Sequence, residues 1–298
     1  MVLNMKKSLS DKFFIIFAYI FLAGFALFCL YPLLLTLGVS ISDENIVAVK
    51  GYSLIPEKFS LDTYKYLFIN SGQRIINAYG ITIFVTVTGT VLALLITAMM
   101  AFSLSIKTLK YRNAIAAYSN FTIIFSAGMI PWYIVCVNYL HFSNNILGLI
   151  FPYLLSVWNL FLLRSYFQAI PDSIIESAKI DGANYFEILA RIAVPLTSTG
   201  LLTVGMMYAL QYWNDWWLAV MFITKRNLFP LQYYLFNIMS NVQALTSGRV
   251  SNIGSKISLP TETVKMAVTV VTIGPIIFIY PFIQRYFVKG IMTGAVKG

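Results

Sequence analysis

The stretch FFIIFAYIFLAGFALFCLYPLLLTL, residues 13–37, contains no charged residue, and its reading decides the fold. An α-helix rises 1.5 Å per residue, so about twenty apolar residues cross a hydrocarbon layer about 30 Å thick with every backbone group bonded inside the segment. The run is too long for the apolar centre of a secretory signal, and Tyr31-Pro32 followed by leucines offers no small-residue cleavage site. It therefore reads as a retained membrane span. Five stretches of the same character follow, at Ile76–Leu104, Ala114–Leu140, Ile146–Phe167, Pro195–Ile223 and Val264–Gln284. The expected fold class is all-α: one polytopic membrane domain over residues 1–298 with six transmembrane helices.

Composition agrees. Of 298 residues, 59% are hydrophobic and 11% charged, whereas a soluble domain carries about a quarter charged residues to cover its surface. The net charge of +10 would suit nucleic acid only if the cations shared one solvated face; here they lie between apolar runs, so membrane lipid and not nucleic acid is the expected surrounding. Cys29 and Cys136 each fall within an apolar run and His141 is the single histidine. That inventory supports neither a disulfide framework nor a metal site, and the cysteines read as small hydrophobes.

An even number of spans puts both termini on one side. Lys6, Lys7, Lys12, Lys107, Lys110, Arg112, Arg164, Lys179, Arg191, Arg285, Lys289 and Lys297 would share that side on short segments, while the remaining cations are mostly in two long loops. The excess on short segments predicts that both termini are cytoplasmic. The two long outer loops are expected at about 38–75 and 224–263, and a short basic turn on the inside at Ile106–Asn113.

The inner segment at about 168–194 is too polar and too long for a simple connection. Ser173 followed by Glu176 predicts a capping box, Pro171 discourages the fourth span from running straight through, and Asp181-Gly182 supplies a stop. About two turns of helix are left, bearing Ile174, Ile175 and Ala178. Phe186, Leu189 and Ile192 then recur at three-residue spacing as a second amphipathic helix leading to Pro195. A lipid-surface helix carries several Lys or Arg on its polar face, and this one has only Lys179 beside Glu176 and Asp181. Docking into a groove on another protein fits better, with the lipid interface as the alternative.

At these residues the sequence resembles a known family. Glu176-Ser177-Ala178-Lys179-Ile180-Asp181-Gly182-Ala183, with Phe186, Ile192, Pro195 and Leu196 behind it, is similar to the EAA signature of ABC-importer permeases. Two departures stand out: Ser177 replaces the usual second small residue, and Thr199 stands where many members have a second proline. Trp213-Asn214-Asp215-Trp216 resembles a pattern of the carbohydrate-uptake branch. The tail from Gln284 to Gly298 resembles that of the maltose-type second permease subunit. With Phe125-Ser126 through Pro131-Trp132 and Tyr280-Pro281-Phe282, the chain looks closest to permeases paired with polysaccharide- or oligosaccharide-binding lipoproteins.

The resemblance implies a multi-pass permease of the bacterial cytoplasmic membrane, not an enzyme. Its implied partners are a second related permease, two ATPase subunits beneath, and an extracellular or periplasmic solute-binding protein that delivers an oligosaccharide. Glu176, Ser177, Ala178, Asp181, Gly182 and Ala183 would form the coupling helix moved by the ATPases. ATP and Mg would be held by those subunits, with no cofactor on this chain. The nearest phosphate-loop string, Gly248 to Lys256, has the wrong glycine spacing and reverses the Lys-Ser order. Alternatives are a permease for a non-sugar solute and an ion-coupled secondary transporter, which would need an acid deep in the spans; only Asp215 comes close.

Sugars are held by aromatic faces and by polar side chains. The candidates for a substrate pathway are Tyr208, Gln211, Tyr212, Asn214 and Asp215 on the fifth span, with Asn120 and Asn159 elsewhere. Trp213, Trp216 and Trp217 read equally as an interfacial aromatic belt. Gly274-Pro275 and Pro131 are expected to bend their spans.

Overall fold

The computed structural model describes residues 9–246, 262–274 and 277. The run at 13–37 lies in α1 (Leu9–Ser40), where Phe17, Phe21 and Phe25 stack one turn apart with centroids 6.4 and 6.5 Å from each other. None of its most apolar window is covered by the rest of the chain. The second span lies in α3 (Asp62–Ser105), a helix of 44 residues.

The expected outer loops are largely helical. In the first, α2 (Glu44–Lys50) starts where Asp43 accepts a hydrogen bond from the Asn45 N–H, and α3 begins at Asp62, well before Ile76. The Asp62 N–H donates to Ser60 Oγ, and an acid in the first turn favours the positive helix end. In the second, α12 (Leu231–Thr246) starts with the Leu231 N–H donating to Thr82 Oγ1 at 2.8 Å. Hydropathy marks where a helix enters lipid and says nothing about where it ends outside it, so the boundaries at 76 and 224 marked membrane crossings only.

The middle spans are broken. The third is α4 (Arg112–Ile124) and α5 (Met129–Tyr139), set at 112° to each other. The bend is at Phe125–Gly128, where Gly128 has φ +89°, and not at Pro131. Pro131 lies in the first turn of α5, where its missing N–H has no partner to lose. The fourth is α6 (Leu147–Tyr153) and α7 (Val157–Gln168), bent by 52°. The inner segment contains α8 (Asp172–Ile180). The fifth joins α9 (Tyr185–Leu196) and α10 (Ser198–Asn214) at 88°, and the short α11 (Trp217–Phe222) follows. By length and composition, α1 and α3 can cross a membrane alone, and each bent pair adds one candidate span. Of the expected sixth span, the helix at 262–274, α13, and residue 277 fall among the described residues. Gly274-Pro275 as a bend, Tyr280-Pro281-Phe282, the tail after Gln284 and the Gly248–Lys256 string lie outside them.

The described residues divide into two units. In the first, which holds residues 9–71, 241–246 and 262–274, α2 supplies the cap of α13. Glu44 accepts from the backbone N–H groups of Glu262 and Thr263 and from Thr263 Oγ1, at 3.1, 2.9 and 2.6 Å. Tyr52 donates to Glu262 at 2.5 Å, and this bond pushes the phenol up to about 12. The second unit, residues 72–240, packs α3, α7 and α10 through Ala93, Ala98, Ala101, Leu160, Leu163 and Val204, all buried. Small residues let these helices approach closely. A Cβ on Gly89 would lie 2.6 Å from the Tyr212 ring. Phe102 and Phe167 meet edge to face at 5.6 Å.

Candidate functional site

Ile170 closes the turn after α7, and α8 begins at Asp172 behind Pro171. The expected capping box on Ser173 and Glu176 does not form, because the helix starts one residue earlier and Ser173 is already within its first turn. The box is instead on the next helix, where Asn184 Oδ1 accepts from the Glu187 N–H at 2.9 Å and Glu187 Oε2 accepts from the Asn184 N–H at 3.0 Å. Asn184-Tyr-Phe-Glu187 carries the same spacing signal, with Asn in the Ser position.

The far end of α8 is closed by its backbone. The Ala183 N–H donates to the Ala178 carbonyl and the Gly182 N–H to the Lys179 carbonyl, both at 3.0 Å, with Gly182 at φ +84°. This is a Schellman closure, and it needs the left-handed residue that glycine supplies without strain. Ala178 is 8% exposed and, with Ile175, roots the helix on the second unit. Ile180 is 86% exposed and Ile174 is also exposed. Glu176, Ser177 and Asp181 are exposed and make no side-chain hydrogen bond or ion pair among the described residues. Ser173, Ile174, Ser177, Ala178, Asp181 and Ile192 line a shallow open groove.

On the opposite flank α8 is tied to the turn after α3. Lys107 Nζ lies 2.6 Å from Asp172 Oδ2, and the Lys179 ammonium sits 4.6 Å from the centre of the Tyr185 ring. Lys179 and Thr108, close to its hydroxyl, hold the Tyr185 phenol below its ordinary value. The Lys107–Asp172 pair is exposed and contributes little to stability by itself. Its effect is to fix which way α8 faces.

The candidates on the fifth span separate into two groups. Tyr208 is fully buried; its hydroxyl lies 2.8 Å from Thr97 Oγ1 and accepts from the Ser156 N–H at 2.9 Å. Tyr212 donates to the Ile150 carbonyl at 2.8 Å, and its ring meets Tyr153 at 5.9 Å. Asp215 accepts from the Tyr153 hydroxyl at 2.9 Å and from the Leu218 N–H at 3.2 Å, so it ends α10 and caps α11. These groups form one connected set inside the second unit. Asn159 is buried close by. Gln211 and Asn214 are exposed on α10, with Asn214 Nδ2 bonded to the Leu210 carbonyl, and Asn120 is exposed on α4. Trp216 stacks on Phe236 with centroids 4.8 Å apart.

Asn144 was not singled out from the sequence. It adopts φ +52°, its N–H donates to the Phe222 carbonyl, and its Oδ1 accepts from the Thr224 N–H, the Thr224 hydroxyl and the Lys225 N–H. The signal was the Asn144-Asn145 pair between two apolar runs, since asparagine tolerates left-handed backbone. Among the described residues no group of three or more His, Cys, Asp or Glu side chains is placed to hold a metal.

The chain is similar to known proteins over nearly its whole length. A family model described as binding-protein-dependent transport system inner membrane component matches residues 116–293. The polygalacturonan/rhamnogalacturonan transport system permease protein YtcP of Bacillus subtilis (strain 168) is 37% identical over 97% of this chain and 100% of that protein. Protein LplC of the same organism is 33% identical over 99% and 98%. Among solved structures, a bacterial ABC transporter involved in the import of the acidic polysaccharide alginate superposes with a TM-score of 0.81 at 30% identity, covering 94% of this chain and 99% of that one. The EAA-like segment lies within the matched region, and the chain belongs to the family of binding-protein-dependent transport system inner membrane components, the membrane permease subunits of ABC importers.

Proposed function

We propose that this chain is one of two permease subunits of an importer that moves an oligosaccharide across the cytoplasmic membrane, driven by two ATPase subunits that hold ATP and Mg. An external binding protein delivers the cargo. The single observation that supports this most is α8: a two-turn helix closed at its far end, with Glu176, Ser177, Ile180 and Asp181 exposed and the three polar side chains unbonded among the described residues. In this reading α8 is the cytoplasmic coupling helix between spans four and five, both termini are cytoplasmic, the six spans act as one permease domain, and the partner ATPase seats Ile174 and Ile180. Rigid-body movement of α8 would tilt α7 and α9 and switch the cargo cavity between the two sides. Cargo contacts would come from Gln211, Asn214 and Asn120, with Tyr208, Tyr212, Asn159 and Asp215 behind them. The relatives named for polygalacturonan, rhamnogalacturonan and alginate support a sugar polymer fragment as cargo.

Charge reversal tests the coupling role. E176K/D181K, expressed with the ATPase and the second permease, is expected to insert at normal level but to lose ATPase copurification and uptake by at least about tenfold, the scale of losing charged contacts at an interface. Normal copurification and uptake in that variant would refute the coupling role. Binding-protein thermal shifts that respond to peptides and to no oligosaccharide would move the cargo to another class.

A further inference from the structure

Arg112 opens α4, Arg164 lies four residues before the end of α7 at Gln168, and these two helices pack on each other. The Lys107–Asp172 pair brings the turn before α4 against the segment that follows α7, so Arg112 and Arg164 lie toward the same end of the second unit. In each, the Nε–H is buried without an acceptor, and neither guanidinium makes a hydrogen bond or ion pair among the described residues. The charged group acting on Arg164 is Arg112, which has the same sign.

The acids of residues 72–240 are engaged or aimed elsewhere. Asp172 pairs with Lys107, Glu187 closes the Asn184 box, Asp215 bonds Tyr153 and the Leu218 N–H, and Glu176 and Asp181 project from α8. Two covered Nε–H donors on partly exposed side chains of like charge, with no acid paired to either among the described residues, are an unfavourable arrangement. An anion with several oxygens relieves both the repulsion and the missing bonds. Arg164 lies over the Phe161 ring at 5.8 Å, which leaves the in-plane N–H edge of the guanidinium for a forked acceptor such as phosphate. Tyr111 gives α4 no side-chain cap, so the positive helix end adds to the same field. Beyond Arg112, α4 exposes Ile115, Tyr118 and Phe121, a surface suited to acyl chains.

We propose that Arg112 and Arg164 together bind one phosphate group, that of an anionic phospholipid headgroup at this end of the bundle. Basic sites between membrane helices hold anionic headgroups in this way. The site does not depend on the coupling role of α8 or on the cargo.

The test uses the intact importer complex. In vesicles of phosphatidylcholine with about a third phosphatidylglycerol, the wild-type complex is expected to unfold several degrees higher than in phosphatidylcholine alone. Native mass spectrometry of the detergent-extracted complex is expected to show at least one retained phosphatidylglycerol. R112Q/R164Q should lose the retained lipid and most of the shift, and R112K/R164K, which keeps the charge without the fork, should retain part of both. K50Q, a change of one exposed lysine in the first unit, should behave as wild type. Equal lipid retention and equal shift in wild type and R112Q/R164Q would overturn the site, as would wild type retaining no phosphatidylglycerol, a result that needs no variant to fold. Millimolar inorganic phosphate raising the unfolding temperature of lipid-free complex by the same amount would overturn the lipid assignment in favour of a free anion. Loss of another subunit from R112Q/R164Q, with lipid retention unchanged, would overturn it in favour of a protein partner.

Discussion

The α8 segment and the Tyr208–Asp215 segment both carry polar residues in an apolar chain, and the structure treats them oppositely. On α8 the far end of the backbone is closed by Gly182 and Ala183, while Glu176, Ser177 and Asp181 make no side-chain bond among the described residues. On α10 the reverse holds: Tyr208, Tyr212 and Asp215 have their oxygens engaged by Thr97, Ser156, Ile150, Tyr153 and Leu218. A buried polar atom without a partner is costly, so inside the bundle a polar side chain must first serve the fold. Outside it, a polar side chain with no internal partner is free to serve another molecule. The contrast therefore separates residues that shape the permease from residues that present it.

The largest effect should come from filling the closest helix contact. G89V places branched carbons into the Tyr212 ring, where a single Cβ is already at 2.6 Å. Overpacking of this kind costs about 1–3 kcal/mol and occasionally more. Reduced yield of folded protein in membranes, measured by fluorescence-detected size exclusion, is the expected outcome. G182V, by contrast, strains a left-handed position by about 1–2 kcal/mol with open space around it, so folded yield should hold while ATPase copurification falls. If the two variants exchange phenotypes, the division between shaping and presenting residues fails.

Y208F comes next. It leaves the Ser156 N–H and the Thr97 hydroxyl without their partner, a loss of about 1–3 kcal/mol in thermal unfolding. The apparent affinity for cargo should be unchanged in whatever protein folds. A shift in KM with no loss of stability would sharpen the picture the other way and make Tyr208 a cargo contact. N144A, which removes one oxygen that accepts three bonds at the end of α11, is expected to cost a similar or slightly smaller amount, and N144G to behave no better, because the side chain and not only the left-handed backbone is used.

How far these features were legible follows from the same physics. Long charge-free runs specify helices in lipid, so α1 and the membrane part of α3 were readable directly. The 88° turn at Thr197 and the break at Asp215 were not, because a few small or polar residues between long apolar flanks do not by themselves end a helix in lipid. Trp213-Asn214-Asp215-Trp216 looked like an interface belt or a sugar contact, and nothing local reveals that Asp215 meets Tyr153 sixty-two residues away. The helix at Asp172–Ile180 and its glycine stop were legible because caps act over three or four residues. Even there Ser173 misled: the start moved to Asp172, and the box went to Asn184 and Glu187.

An acid between the two extremes gives the smallest and most delicate test. Glu262 is half covered, receives bonds from Lys265 at 2.7 Å and Tyr52 at 2.5 Å, and lies just before the expected sixth span. Those two donors hold its carboxyl below the ordinary value of 4.5, against burial and the neighbouring Glu44. A depressed folded pKa means stabilisation that is present above the unfolded value and lost as the pH falls through the folded one. Protection of the amides in the first turns of α13, taken relative to their intrinsic exchange at each pH, should therefore be unchanged between pH 7 and pH 5 and fall modestly as the pH drops below about 4.5, since solvent screens the pair. E262Q should flatten that acid limb while leaving the Glu44 cap in place. An identical acid limb in E262Q would assign it to Glu44 instead, and the clasp on α13 would then belong with the fully engaged groups of the bundle interior.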